Sequence, residues 1–585
     1  MSGLTGLGAA VRRLRRRRVA RLWAIAVALV ALAVVLVPLA LADIGESAEG
    51  PSPPPRPPGS GASTRIAKAK PRRHARPAPS LPQATLTIAS KLSTAPVPSS
   101  FFGISTEYWT LPKFERDTPA FERVLSLLHV AGDGPLMLRI GGDSADHSFW
   151  SPRGRKMPDW AFALTPAYLA RLRALVQRDR VKLIVDLNLL TDTPFTAAAW
   201  ARAAETSLPH RSIADFEIGN EPDLYERRYW ADMTARSPLV TRPWPLDLTP
   251  ATYVADFAEY ARVLGESSPD IPLVGPAVGH PRLGLPFIAA LIGAARPELG
   301  MVTGHLYPYS KCVRNPKSSS YPTVARVLSR HATSAFATDV SSAVTLAHQA
   351  GLKFRLTEFN SVTCGGKAGV SDTFSTALWA PDALFTAMRA GVDGANLHVR
   401  DDTINSPFTI DRRGLHPRPL LYGLEMFTRT LGPEAQLVRL HLAAARSLNL
   451  STWAVQVRGR ILHVLLIDKG SRTVQVDLRL PTTATGTVQR LIAPSPYSRS
   501  GVTLDGQQLN YAGDWTGTPR TETVVPAPRG GYELTVARRS AALVSVPLAT
   551  ATAPPIRRSA SEHHRRVAVT NHAVLAVGLD RTRKH

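Results

Sequence analysis

Glu221 and Glu358 each stand where a short apolar run gives way to a polar loop. The stretch Asp215-Phe216-Glu217-Ile218-Gly219-Asn220-Glu221-Pro222-Asp223 begins as a buried strand and ends as the loop which that strand delivers. Pro222 cannot donate to a sheet ladder, so the strand is expected to stop at Glu221 and leave an amide and a carboxyl side by side at its tip. The stretch Lys353-Phe354-Arg355-Leu356-Thr357-Glu358-Phe359-Asn360-Ser361, 137 positions further on, repeats the design. Two carboxyls offered from two strand ends suit the cleavage of a glycosidic bond, in which one protonates the leaving oxygen and the second works across the scissile bond.

To converge, such groups need strands whose ends meet. Eight candidate strands recur between helical stretches: Phe102 to Ser105, Leu136 to Ile140, Lys182 to Leu187, Asp215 to Ile218, Pro272 to Val274, Met301 to Gly304, Lys353 to Thr357 and Gly394 to His398. Helical periodicity fills segments such as Pro166 to Arg178, Pro250 to Leu264 and Ser334 to Ala350. This alternation predicts an α/β fold, a (β/α)8 TIM barrel, whose strands end at one mouth in polar or small residues: Glu107, Gly141-Gly142-Asp143, Asn188, Asn220-Glu221, Pro276, His305-Leu306-Tyr307, Glu358 and Asn396-Leu397-His398. From about Leu437 the pattern becomes strand alternation without helices, separated by Gly, Ser, Pro and Asp turns. That predicts a C-terminal all-β sandwich.

The pair of glutamates, read with Glu358-Phe359-Asn360-Ser361, Gly365-Gly366, Ser371-Asp372-Thr373-Phe374, Trp379 and Asn396-Leu397-His398, resembles glycoside hydrolase family 79, the heparanase and β-glucuronidase family within clan A of retaining glycosidases. The resemblance spans about residues 84 to 550. It implies that Glu221 after strand 4 is the acid/base and Glu358 after strand 7 the nucleophile, with opposite protonation states at working pH. Asn220 is placed to hydrogen-bond the sugar 2-hydroxyl, Tyr307 to orient Glu358, and Glu107 and Asp143 to accept from the 3- and 4-hydroxyls. Asn396 and His398 end a strand at the mouth. A tyrosine that helps hold the uronate carboxylate in the heparanase branch is Leu397 here, so Arg400, Lys367 or backbone amides must substitute if the substrate is a uronide. A neutral-sugar glycosidase of the same clan (xyloside, galactoside) and a non-catalytic glycan-binding envelope protein are the alternatives. The resemblance also implies that a strand within 83–98 joins the sandwich.

Composition limits the remainder. The formal charge of the 585 residues is +25, which by itself suggests a nucleic-acid binder. Its distribution excludes that reading, because residues 1–80 hold fourteen Arg and Lys against three acids, residues 555–585 hold seven against two, and the middle shows no basic stripe with interleaved aromatics. Seven arginines from Arg12 to Arg21 precede an uncharged apolar run from Leu22 to Ala42, long enough at about 1.5 Å per residue to cross a bilayer. Residues 1–42 are therefore expected to be a membrane anchor or, given Pro38 and Ala40-Leu41-Ala42, a cleaved signal, with an exported catalytic body. Residues 43–82 read as a Pro- and Arg-rich linker, 99–430 as the barrel, 431–550 as the sandwich and 551–585 as a basic tail. Cys312 and Cys364, the only cysteines, fall in the loops after strands 6 and 7 of an exported domain and are expected to form a disulfide. No zinc-ligand spacing, phosphate loop or nucleophile elbow occurs, so no metal and no cofactor is expected; the partners are a carbohydrate and, through residues 1–42, a membrane, with a monomer as the expected state.

Overall fold

The computed structural model describes residues 81–179, 181–225, 248–295 and 297–548. The expected anchor or signal at 1–42, the linker up to residue 80 and the tail at 551–585 lie outside these residues. No helix among the described residues is long and apolar enough to cross a membrane.

Eight parallel strands close into a barrel: β1 (Phe102–Glu107), β2 (Leu136–Gly141), β3 (Val181–Leu187), β4 (Ile213–Ile218), β5 (Leu273–Val278), β6 (Leu299–Leu306), β7 (Lys353–Phe359) and β8 (Gly394–Val399), with β8 pairing back on β1. Each is buried on both sides, as parallel strands under a ring of helices must be, and this explains their nearly continuous apolar character. Helix starts are written locally. Thr249 and Thr252 form a reciprocal capping box ahead of Pro250–Ser267, and Thr193 caps Pro194–Ser207, each with proline inside the first turn where its missing N–H costs nothing.

The strands run further into the mouth than their apolar cores predict. β5 continues to Val278 and β6 to Leu306, so Pro276 and His305 lie within strands; His305 is paired with Glu358, while Pro276 falls at a register irregularity between β5 and β6. β4 behaves in the opposite way and ends at Ile218, three residues before the expected Glu221. Gly219 breaks it by adopting φ +79°, where a Cβ would meet Leu189 at 2.6 Å.

Inside the barrel the lower positions are apolar, Met137 packing with Ile184 and Val274. Two residues further along the same strands the inward positions become charged, as Arg139 and Asp186. The strand registers set Ser105 beside Arg139, Asp186 beside Glu217, His305 beside Glu358 and His398 beside Ser105. One layer of the barrel is therefore polar, directly beneath the mouth.

Residues from both chain ends build the sandwich. One sheet holds His441–Ala444, Gln83–Thr87, Val474–Arg479 and Tyr532–Val536; Gln83–Thr87 runs parallel to Val474–Arg479, the placement that the family resemblance implied for an N-terminal strand. The larger sheet contains Leu450–Val457, Ile461–Asp468, Ser540–Pro547 and Gly486–Ile492. Its period-two alternation feeds two cores: Leu462, Val464 and Leu466 face the smaller sheet, while Leu465 and Ile467 join the barrel core. Helix Phe374–Arg389 is wedged between that sheet and the barrel and is buried nearly all round.

Candidate active site

The loop leaving β4 turns sharply. Asn220 follows the Gly219 break, and Glu221 itself takes φ 51°, ψ 52°, a left-handed conformation that costs a non-glycine residue about 1–2 kcal/mol. Its N–H donates to the Ala277 carbonyl at 3.0 Å, which holds the turn against β5. Glu358 needs no such device, because it still belongs to β7. A carboxylate oxygen of Glu221, one of Glu358 and a ring nitrogen of His305 lie within 4.8 Å of one another. Around this pair opens a cavity of about 350 Å³ lined by Glu107, Asp143, Asn220, Glu221, Tyr307, Glu358, His398, Arg400 and loop residues including Cys364, Gly365 and Asn405.

The two carboxylates have different surroundings. The Glu358 side chain is 8% exposed and receives Arg139 Nη1 at 2.6 Å and the Tyr307 hydroxyl at 2.8 Å. His398 Nδ1 stands 3.4 Å away and His305 Nδ1 3.8 Å. Burial works to raise this carboxyl, yet the charges of His398, His305 and Arg139 and the Tyr307 hydrogen bond hold it well below the usual carboxylate range. Glu221 is 25% exposed, and among the described residues its nearest ionisable neighbour is His305 Nδ1 at 3.0 Å. One carboxylate is sunk and clamped in its anionic form; the other faces the cavity with one imidazole behind it.

Beneath them lies a network that sequence reading missed. Arg139 is fully buried and spreads its donors over Glu217 (2.5 Å), Asp186 (2.8 Å), Glu358 and Asn220 (3.0 Å). Thr357 donates to the second oxygen of Glu217. Burial pushes the Asp186 carboxyl well above its ordinary value, with Arg139 opposing the shift. A signal was available, since Arg139, Asp186 and Glu217 are charges inside apolar strand runs, and buried charges persist only when paired.

The opposite wall carries Glu107, Asp143, His398 and Arg400. Glu107 accepts from Ser144 N at 2.7 Å and lies 3.5 Å from His398 Nε2. Burial opposes ionisation of Glu107, but His398 and Arg400 hold it below the ordinary range, while Glu358 and then Glu107 raise His398 against its own burial and the charge of Arg400. Asp143 is pushed up to about 7, by loss of water in the cavity and then by the charges of Glu107, Glu221 and Glu358. Arg400 stands 3.7 Å from both Glu107 and Asp143 and 3.4 Å from Asp402.

Two residues expected at the mouth do not line the cavity. Asn396 is fully buried, its amide donating to the Ile104 and Met137 carbonyls and its oxygen accepting from Arg355, so it ties strands together. Lys367 donates to the Pro322 carbonyl at 3.1 Å with its ammonium 3.7 Å over the Tyr321 ring, which uses its charge within its own loop region. Leu397 is packed in the apolar core. Cys312 and Cys364 are joined in a disulfide that ties the β6 and β7 loops, and Cys364 forms part of the cavity wall.

Residues 438–543 match the family model described as the glycosyl hydrolase family 79 C-terminal beta domain. No curated protein matches the chain. Among solved structures the chain is similar to a 4-O-α-L-rhamnosyl-β-D-glucuronidase from Fusarium oxysporum (18% identity, 79% of this chain and 100% of that one, TM-score 0.63). It is also similar to a family 51 α-L-arabinofuranosidase from Bifidobacterium longum (15%, 80% and 100%, 0.57) and to a family 44 endoglucanase from Clostridium thermocellum (12%, 80% and 100%, 0.54). At these identities the likeness is one of fold, a barrel joined to a β domain. Over residues 438–543 the sandwich is thus similar to the glycosyl hydrolase family 79 C-terminal beta domain, the family that the barrel's own motifs resemble.

Proposed function

We propose that the chain is an exported retaining β-glycosidase acting on β-glucuronides. The observation that carries the retaining mechanism is the separation of Glu221 and Glu358: oxygens within 4.8 Å match the ~5–5.5 Å of direct nucleophilic attack and leave no room for the water that an inverting pair ~6.5–9.5 Å apart must hold. Glu358, clamped as an anion, attacks the anomeric carbon while Glu221 gives its proton to the leaving oxygen. Glu221 then takes a proton from the water that frees the sugar from Glu358. Asn220 accepts from Arg139 and keeps its amide nitrogen for the sugar 2-hydroxyl. Azide tests this directly: Glu221→Ala should yield a β-glycosyl azide, because a small anion needs no general base, and an α-azide would contradict the reading.

Arg400 supports the uronide. It is the sole Lys or Arg among the described residues that line the cavity, and its 3.7 Å contacts to Glu107 and Asp143 are loose enough to be exchanged for a substrate carboxylate. A charge-assisted contact of about 1.5–3 kcal/mol corresponds to roughly 10 to 150-fold. A nitrophenyl β-glucuronide should therefore exceed the β-glucoside more than tenfold in kcat/KM, with the preference reduced in Arg400→Ala. A neutral sugar is the second reading, favoured by the four carboxylates that line the same cavity, and an equal or faster β-glucoside would select it. Export is supported by the Cys312–Cys364 disulfide, a bond that persists in oxidising compartments.

A further inference from the structure

We propose that the sandwich carries a second carbohydrate site, separate from the catalytic cavity, that binds an oxyanion borne on a glycan. Its centre is Arg538–Arg539, in the turn between Tyr532–Val536 and Ser540–Pro547. Both arginines line a cavity of about 350 Å³ together with Ser471, Ser495, Pro494 and Pro496.

Four observations carry this. First, neither guanidinium has a carboxylate within 4.0 Å among the described residues, whereas Arg479, Arg490 and Arg499 of the same domain meet Asp477, Glu522 and Asp372. Second, Arg539 Nε is shielded from solvent and has no hydrogen-bond partner among the described residues, which leaves a buried donor free for a ligand. Third, Arg539 adopts φ 53°, where glycine would be unstrained, so the turn keeps a side chain at a conformational cost. Fourth, the space far exceeds one anion and is of ligand-pocket size, with two serine hydroxyls and two proline rings as the polar and apolar contacts a sugar ring uses. The acid facing Arg539 is Asp468, whose carboxyl burial pushes up to about 6 and whose Oδ2 has no partner. It offsets one of the two positive charges and leaves the other for a ligand.

The site also touches the barrel. Ser498 and Pro496 carbonyls accept from Phe374 N and Ser375 N, at the start of the helix that follows the nucleophile strand β7. A long anionic glycan held here is thus held against the catalytic domain.

The test is titration calorimetry of the full chain at fixed ionic strength, with sodium sulfate and with galactose 6-sulfate as probes. Saturable binding is expected, at least fivefold tighter for the sugar sulfate. Arg538→Gln/Arg539→Gln should weaken it at least tenfold, and Arg458→Gln/Arg460→Gln, which removes equal charge from exposed positions, by less than twofold. Affinity should rise as pH falls through about 6 and Asp468 loses its charge. Unchanged circular dichroism and melting of the double variant separate lost binding from lost folding. No saturable binding, an equal loss in both double variants, or sugar sulfate bound no better than free sulfate would each overturn the proposal. The readout needs no turnover, so it stands or falls separately from the glycosidase reading.

Discussion

Two ion networks buried among the described residues are built to opposite balances. At the joint between barrel and sandwich, Asp382 of helix Phe374–Arg389 meets Lys469 at 2.6 Å, with Trp453, Ser451 and Thr333 donating to the same carboxylate. One cation faces one anion and the carboxylate is filled with donors; burial opposes its charge, but Lys469 holds Asp382 below its ordinary value. In the barrel, one guanidinium, Arg139, is shared by three carboxyls, Asp186, Glu217 and Glu358, and burial pushes Asp186 towards its neutral form. The joint is closed and can only hold. The barrel network keeps Glu358 as an anion through contacts it shares with other groups, and an anion that is clamped yet reaches the cavity is what a nucleophile requires.

The largest effect is expected from removing the charge proposed as the nucleophile. Glu358→Gln should lower kcat by about 10⁴-fold or more on every glycoside while changing the melting temperature little, since the amide oxygen can still accept from Arg139 and Tyr307. Lys469→Met should do the reverse. It strands the buried Asp382 charge and is expected to remove about 3–5 kcal/mol of stability in chemical denaturation, while kcat of the folded fraction stays near that of the parent. Adding Asp382→Leu should restore much of the loss. Because the folded-state pKa of Asp382 is depressed, its stabilising share is present above about pH 4 and disappears as pH falls through the folded value. Lys469→Met should accordingly flatten the acid limb of stability.

Smaller effects sharpen the contrast within the mouth. Cys312→Ser opens a bridge of sequence separation 52, worth up to about 4 kcal/mol in chain-entropy terms, and should also raise KM because Cys364 forms part of the cavity wall. Tyr307→Phe removes a hydrogen bond that keeps Glu358 ionised, so kcat should fall about tenfold and the acid limb of kcat/KM should move to higher pH. The smallest effect concerns Asp143. As pH rises through about 7 it ionises beside Arg400, so KM for a glucuronide should rise a few-fold, and Asp143→Asn should abolish that rise.

The same two networks show what was legible in advance. Apolar runs located all eight barrel strands within a few residues, because a parallel strand under helices must be apolar on both faces. Glu221 and Glu358 were visible because each ends such a run. The candidate strand Asp215 to Ile218 ends where β4 ends, but the stop is Gly219 and not Pro222, because the φ a glycine adopts is not written in the sequence. Arg139 was passed over within Leu136–Gly141 because a charge inside an apolar run carries meaning only once register shows which neighbours it meets. Asp382 and Lys469 lie 87 residues apart in different domains, and only the docking of the sandwich reveals them. Lys367 and Asn396 do not line the cavity for a related reason: loop position tells nothing of where an ammonium settles, and a strand-end amide can face the lattice of strands as well as the mouth.

The central claim is that Glu358 and Glu221 act as nucleophile and acid/base at close range. The most direct measurement is proton NMR of the first sugar released from an aryl β-glycoside before mutarotation. The β-anomer is expected, formed by two inversions. An α-anomer would mean a single inversion by water, and the pair could not then work as their separation indicates.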